Sequence, residues 1–144
     1  MASVNDDDVR VLRQQVNALQ RRLRRETSGG PISRTARQVL FAIHRANAPI
    51  TPGELTTELQ MTSSNVAASL RELDAAHYIT RDRDTGDGRR ILLRTTPTGA
   101  DAVEEHRRGK DAWLADAINA TLTPDEQREL QHAGILLQRL ADRP

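Results

Sequence analysis

At 144 residues the chain is long enough for one ordinary domain with a core, but too short for a catalytic domain beside a separate partner domain. It has no cysteine and no run of about 18 apolar residues, and Met1 to Asp8 is acidic and polar. Disulfides and thiolate metal sites are thereby excluded, neither a membrane-spanning helix nor a secretory signal is expected, and a soluble, cytoplasmic protein is the expectation.

The net charge of +1 hides a gradient: residues 1–96 hold 15 Arg against 11 Asp plus Glu (+4), whereas 97–144 hold 6 basic and 9 acidic residues (−3). The acidic end is the wrong one to face a phosphate backbone. In chain order, Val9, Leu12, Val16, Leu19 and Leu23 alternate spacings of three and four, which predicts a helix over Asp6 to Glu26 with one narrow apolar seam. Arg10, Arg13, Arg21, Arg22, Arg24 and Arg25 surround the seam. Such a stripe suits packing along a partner helix, and an intramolecular seam is the alternative.

Ser28-Gly29-Gly30-Pro31 breaks that helix, and Ser33 caps a second with Val39, Leu40 and Ile43 inward, ending near Ala46. Thr51-Pro52-Gly53-Glu54 reads as a capping box opening a short helix to Gln60. Met61 and Thr62 turn the chain into a fourth helix, Ser63 to Ala76, with Val66, Leu70 and Leu73 on its inner face. The runs Tyr78–Arg83 and Arg90–Thr95 are strand-like around Asp84-Thr85-Gly86-Asp87-Gly88, a β-hairpin. A long helix from Thr96 and Pro97 to about Asn119 follows. Thr123-Pro124-Asp125-Glu126 then opens a last one carrying Leu130, Leu136, Leu137 and Leu140. The fold expected is mainly α with a small β-hairpin.

Two short helices, a tight turn and then a hairpin give the order of a winged helix-turn-helix. A recognition helix needs one face on the core and another slim and polar enough for a major groove about 12 Å wide. Ser64, Asn65, Ala67, Ala68 and Arg71 supply that outward face, and Thr62 and Ser63 lie at the helix N-terminus, where backbone N–H groups suit a phosphate. Arg81, Arg83, Arg89 and Arg90 flank a turn of almost no bulk, Gly86-Asp87-Gly88, which fits a narrow minor groove. Asp82, Asp84 and Asp87 partly neutralise these arginines, so some are expected in ion pairs.

The stretch Ile50 to Gly99 resembles the DNA-binding lobe of the MarR family. Asp87-Gly88-Arg89 is similar to that family's Asp-x-Arg wing signature, and Thr96-Pro97-Thr98-Gly99 to its Thr-x-x-Gly entry to the fifth helix. The resemblance implies a dimerisation helix in 1–30, a winged lobe in 31–96 and two dimerisation helices in 97–144. It also implies a homodimer on an inverted repeat of double-stranded DNA, with Val9, Leu12, Val16, Leu19, Leu23, Leu130, Leu136, Leu137 and Leu140 at the interface. Arg89 would enter the minor groove, oriented by Asp87. A small aromatic or phenolic effector is implied too, for which Phe41, Tyr78 and Trp113 are the available ring residues, although packing explains them as well. His77 departs from the family's usual glycine and Thr95 from its usual leucine, so the local turn and wing packing are expected to differ.

No cofactor is implied. His44, His77, His106 and His132 lack the three- or four-residue spacing of a helical metal site, and no histidine lies near a recognisable nucleophile, so neither a metal sensor nor an enzyme is expected. The rival reading is a winged helix used as a protein-interaction module.

Overall fold

The first helix begins where Asn5 can cap it: its side-chain oxygen accepts from the Asp8 N–H at 2.8 Å. Three aspartates in the first turn and Arg24 and Arg25 in the last complement the helix dipole of α1, Asp6–Glu26. In this computed structural model, which describes residues 4–144, five further helices and one antiparallel strand pair follow. Ser33 caps α2 (Arg34–Ala46) by accepting from Ala36 N–H. Thr51 and Glu54 close a reciprocal capping box on α3 (Pro52–Leu59), and Thr62 caps α4 (Ser63–Ala75) by accepting from Asn65 N–H. After β1 (Ile79–Arg83) and β2 (Ile91–Thr95) come α5 (Pro97–Thr121) and α6 (Pro124–Ala141), the latter opened by the Thr123–Glu126 capping box.

Element ends differ slightly from the sequence reading. Gln60 and Ala76 are C-caps rather than helical residues, because Gln60 turns left-handed at φ 52 and Ala76 already leads into the reversal at His77. Tyr78 and Arg90 lie just outside the strands, and α5 runs past Asn119 to Thr121.

The chain forms two compact units, Thr27–Arg108 and a second made of the segment ending at Glu26 with Gly109–Pro144. In the first, α2 packs on α4 and β2, and α3 on α4. The register runs from Ile79 opposite Thr95 to Arg83 opposite Ile91, and Ile50 adds a bridge to Leu93 through bonds of 3.2 and 2.8 Å. Every buried hydrophobic residue, from Ala36 on α2 to Leu93 on β2, belongs to this unit. In the second unit Arg22 stacks its guanidinium over Trp113, 5.8 Å from the ring centroid. Neither α1 nor α6 buries a single residue. Among the described residues no helix is long and apolar enough to cross a membrane.

Candidate nucleic-acid interface

Helical period decides which side of α4 is free. Val66, Ser69, Leu70 and Leu73 are buried, while Ser63, Ser64, Asn65, Ala67, Ala68 and Arg71 are exposed, so the expected outward set lies on one accessible face. Ser69 is the one inward residue that an apolar pattern does not find. At the N-terminus the Thr62 hydroxyl oxygen holds the Asn65 N–H at 3.2 Å, leaving the amides of Ser63 and Ser64 in the first turn, ahead of the intrahelical ladder.

The C-terminus of α4 reverses through a Schellman motif. His77 N–H donates to Asp74 C=O at 3.0 Å and Tyr78 N–H to Leu73 C=O at 2.9 Å, with His77 at φ 58. Histidine therefore adopts the left-handed conformation that glycine takes without strain, and the turn is kept. The Thr-x-x-Gly motif then locks the reversal to α5. Thr96 Oγ1 donates to His77 C=O at 2.7 Å and accepts from Gly99 N–H at 3.0 Å, and Thr96 N–H donates to Tyr78 C=O. At Thr95 the hydroxyl is buried without a hydrogen-bond partner among the described residues, a polar atom where leucine would place carbon.

The wing tip is built from two Asx turns. Asp84 Oδ1 accepts from Gly86 N–H and Asp87 Oδ1 from Arg89 N–H, both at 3.0 Å, while Arg90 N–H closes on Asp87 C=O at 3.0 Å. Asp87 thus holds Arg89 through its backbone. The four arginines then separate by partner. Arg81 is bound to Asp74 on α4, with Nε 2.6 Å and Nη2 2.5 Å from Oδ2. Arg90 lies 3.7 Å from Asp84 and 4.0 Å from Glu54, and Arg83 reaches the Gly88 carbonyl at 3.4 Å. Arg89 alone among them has no ion pair and no side-chain hydrogen bond within the described residues.

Acidic residues of α4 were invisible as site components in the sequence. Besides Asp74, Glu72 takes Ser33 N–H at 2.8 Å and the Ser33 hydroxyl at 2.9 Å, and these two donors hold its carboxyl below the usual carboxylate range. The Asp74–Arg81 pair spans only seven residues across a helix-to-strand reversal, a signal that could have suggested it.

The ring residues are dispersed. Phe41 packs against the core with His106 at a centroid distance of 5.3 Å, Tyr78 also packs on the core, and Trp113 belongs to the other unit under Arg22. A surface cleft of ≈ 590 Å³ lies instead between Ile43, His44, Arg94, Thr95 and Pro97. Among the described residues no group of three or more His, Asp or Glu is placed to hold a metal.

A family model described as the MarR family matches residues 31–90. An HTH-type transcriptional regulator of Mycobacterium bovis is 29% identical over 127 residues, covering 88% of this chain and 87% of that protein. A crystal structure from Pseudomonas aeruginosa PA01, proposed to be a transcriptional regulator, is 36% identical and superposes with a TM-score of 0.83 over 98% of this chain and 100% of that one. A variant of S. aureus MepR, solved bound to an oligodeoxyribonucleotide, shares the fold at 20% identity, with a TM-score of 0.70 over 92% of this chain and 96% of that one.

Proposed function

Because the chain belongs to the MarR family of transcriptional regulators, we propose that it is a repressor that binds an inverted repeat of double-stranded DNA as a homodimer. Residues 31–96 are the reading lobe in this proposal, and 1–30 with 97–144 supply the dimerisation helices.

The observation that carries the reading is Arg89. Of the four arginines that flank the wing turn it is the one without a counter-charge or hydrogen-bonded carbonyl among the described residues, and it stands on a tip with little bulk. A guanidinium so disposed keeps its full charge for a narrow minor groove. On the neighbouring major groove, Ala67 and Ala68 let α4 approach closely. Thr62, Ser63, Ser64 and Asn65 offer donors and acceptors to phosphates or base edges, and Arg71, likewise exposed, adds a guanidinium. The oligonucleotide held by the MepR variant supports DNA as the partner.

Two copies extend the reading to both half-sites, with recognition helices about 34–36 Å apart. The exposed seam of α1, with Val9, Leu12 and Leu19, and the leucines of α6, Leu130, Leu136, Leu137 and Leu140, are the apolar surface available for pairing; Val16 and Leu23 are half-buried. Release of DNA by a small aromatic or phenolic anion belongs to the same proposal. Phe41 and Tyr78, which pack on the core of the reading unit, do not form one ring box with Trp113 of the other unit, so Trp113 fluorescence serves only as the readout of effector binding.

The test is selection of duplexes from a random pool, then titration of the enriched sequence at two salt concentrations. Enrichment of an inverted repeat is expected, and Arg89→Ala should bind it more weakly with a salt slope shallower by about one. Absence of enrichment, with equal behaviour of both proteins, favours the winged helix as a protein-interaction module.

A further inference from the structure

Arg81 sits in the wing yet is turned away from the tip. Strand alternation puts it on the same face of β1 as buried Ile79, opposite buried Leu93, so its side chain runs along the core side of the hairpin toward α4. There two of its N–H groups converge on one Asp74 oxygen, at 2.6 and 2.5 Å, which fixes the guanidinium plane as well as its position. The side chains of the pair are 37% and 39% exposed, so its contribution to folding is small.

What such a pair can do is set geometry. Glu72 and Asp74 are separated by roughly 200° around α4, one on each border of its buried face. Glu72 is tied to the N-terminus of α2 through Ser33, and Asp74 to β1 through Arg81. The roll of α4 about its axis is thereby held from both sides, and the offset between α4 and the wing is held with it.

We propose that Arg81 is a positioning residue, paired with Asp74 to fix the wing against the recognition helix, and not a phosphate ligand. This rests on the DNA-binding reading above. A protein that reads a major groove with α4 and a minor groove with Arg89 must present both at one spacing, and the Asp74–Arg81 tie is, among the described residues, the ion pair that joins α4 to the wing. Recruiting Arg81 to a phosphate would strand the Asp74 carboxylate beside the DNA backbone, a like-charge contact.

The test measures affinity for the selected operator, and for a shuffled duplex, across a salt series with wild type, Asp74→Ala, Arg81→Ala, the double alanine variant and the charge-swapped Asp74→Arg/Arg81→Asp. Circular dichroism verifies folding, and hydrogen exchange of the wing amides is followed in the unbound proteins. Positioning predicts that either single change weakens operator binding by about tenfold with the salt slope unchanged. The double variant should be no weaker than the singles, and the swap should recover most of the loss. In the unbound protein the wing amides of both single variants should exchange faster. A shallower slope for Arg81→Ala with unaltered or tighter binding by Asp74→Ala overturns the proposal, as do additive losses in the double variant. If the wild type selects no duplex, the DNA reading falls, and wing amides that exchange alike in wild type and Asp74→Ala then overturn the tie by themselves.

Discussion

A Cβ added at Gly99 would lie 2.1 Å from the Tyr78 carbonyl oxygen and 2.9 Å from Thr95 Cγ2, whereas one added at Gly88 would meet nothing within 4 Å. Gly99 is a glycine because the backbone before β1 presses on the first turn of α5, while Gly88, free of any left-handed backbone, leaves room only for something outside the chain. Gly99→Ala should therefore cost about 1–3 kcal/mol of stability in urea unfolding. Gly88→Ala should leave the urea midpoint unchanged or slightly raised, yet weaken operator binding in the titration described for Arg89. The Asp-x-Arg and Thr-x-x-Gly motifs were legible in the sequence, because each is made of neighbours. That Arg81 turns toward α4 was not, since it depends on how the hairpin folds over that helix.

At the level of elements, the helix starts were readable because each rests on a local cap: Ser33, Thr51 with Glu54, Thr62, and Thr123 with Glu126. The link between α2 and α4 was not, because Ser33 and Glu72 are 39 residues apart and nothing local pairs them. That link has a pH signature. The Ser33 donors depress the Glu72 carboxyl below its ordinary value of 4.5, so the stabilisation it gives is complete above that value and is lost as pH falls through the lower, folded value. Glu72→Gln should consequently reduce stability at neutral pH and flatten its decline on the acid side. Urea midpoints for both proteins at pH 7 and at about pH 3.5 measure this; parallel curves would show that the carboxylate charge is not what Ser33 engages.

For the whole molecule, the burial is one-sided. The Thr27–Arg108 unit owns the hydrophobic core, while α6 leaves Leu136 at 43% and Leu137 at 41% exposure and α1 leaves Leu19 at 46%. If two copies pair as proposed, Leu19→Asp or Leu137→Asp should yield monomers by sedimentation velocity. Such monomers should lose about 10²–10⁴-fold in operator affinity, because half-sites are then bound independently. Dimers persisting in both variants would move the interface elsewhere. The alternation of apolar residues in α1 was plain in the sequence, and so was the choice between an inner seam and a second copy; that neither α1 nor α6 buries a residue within the chain was not, because burial depends on what the helices pack against.

If two copies pair through that bare pair of helices, abundance becomes an input. Below the concentration at which the copies associate, the species able to span a whole operator grows with the square of the amount of chain, so a doubling of synthesis raises it about fourfold. A regulator of this construction would respond to its own dosage before any effector arrives. A modest drop in production, by dilution at division or by repression of its own gene, would then empty its operators abruptly rather than by degrees.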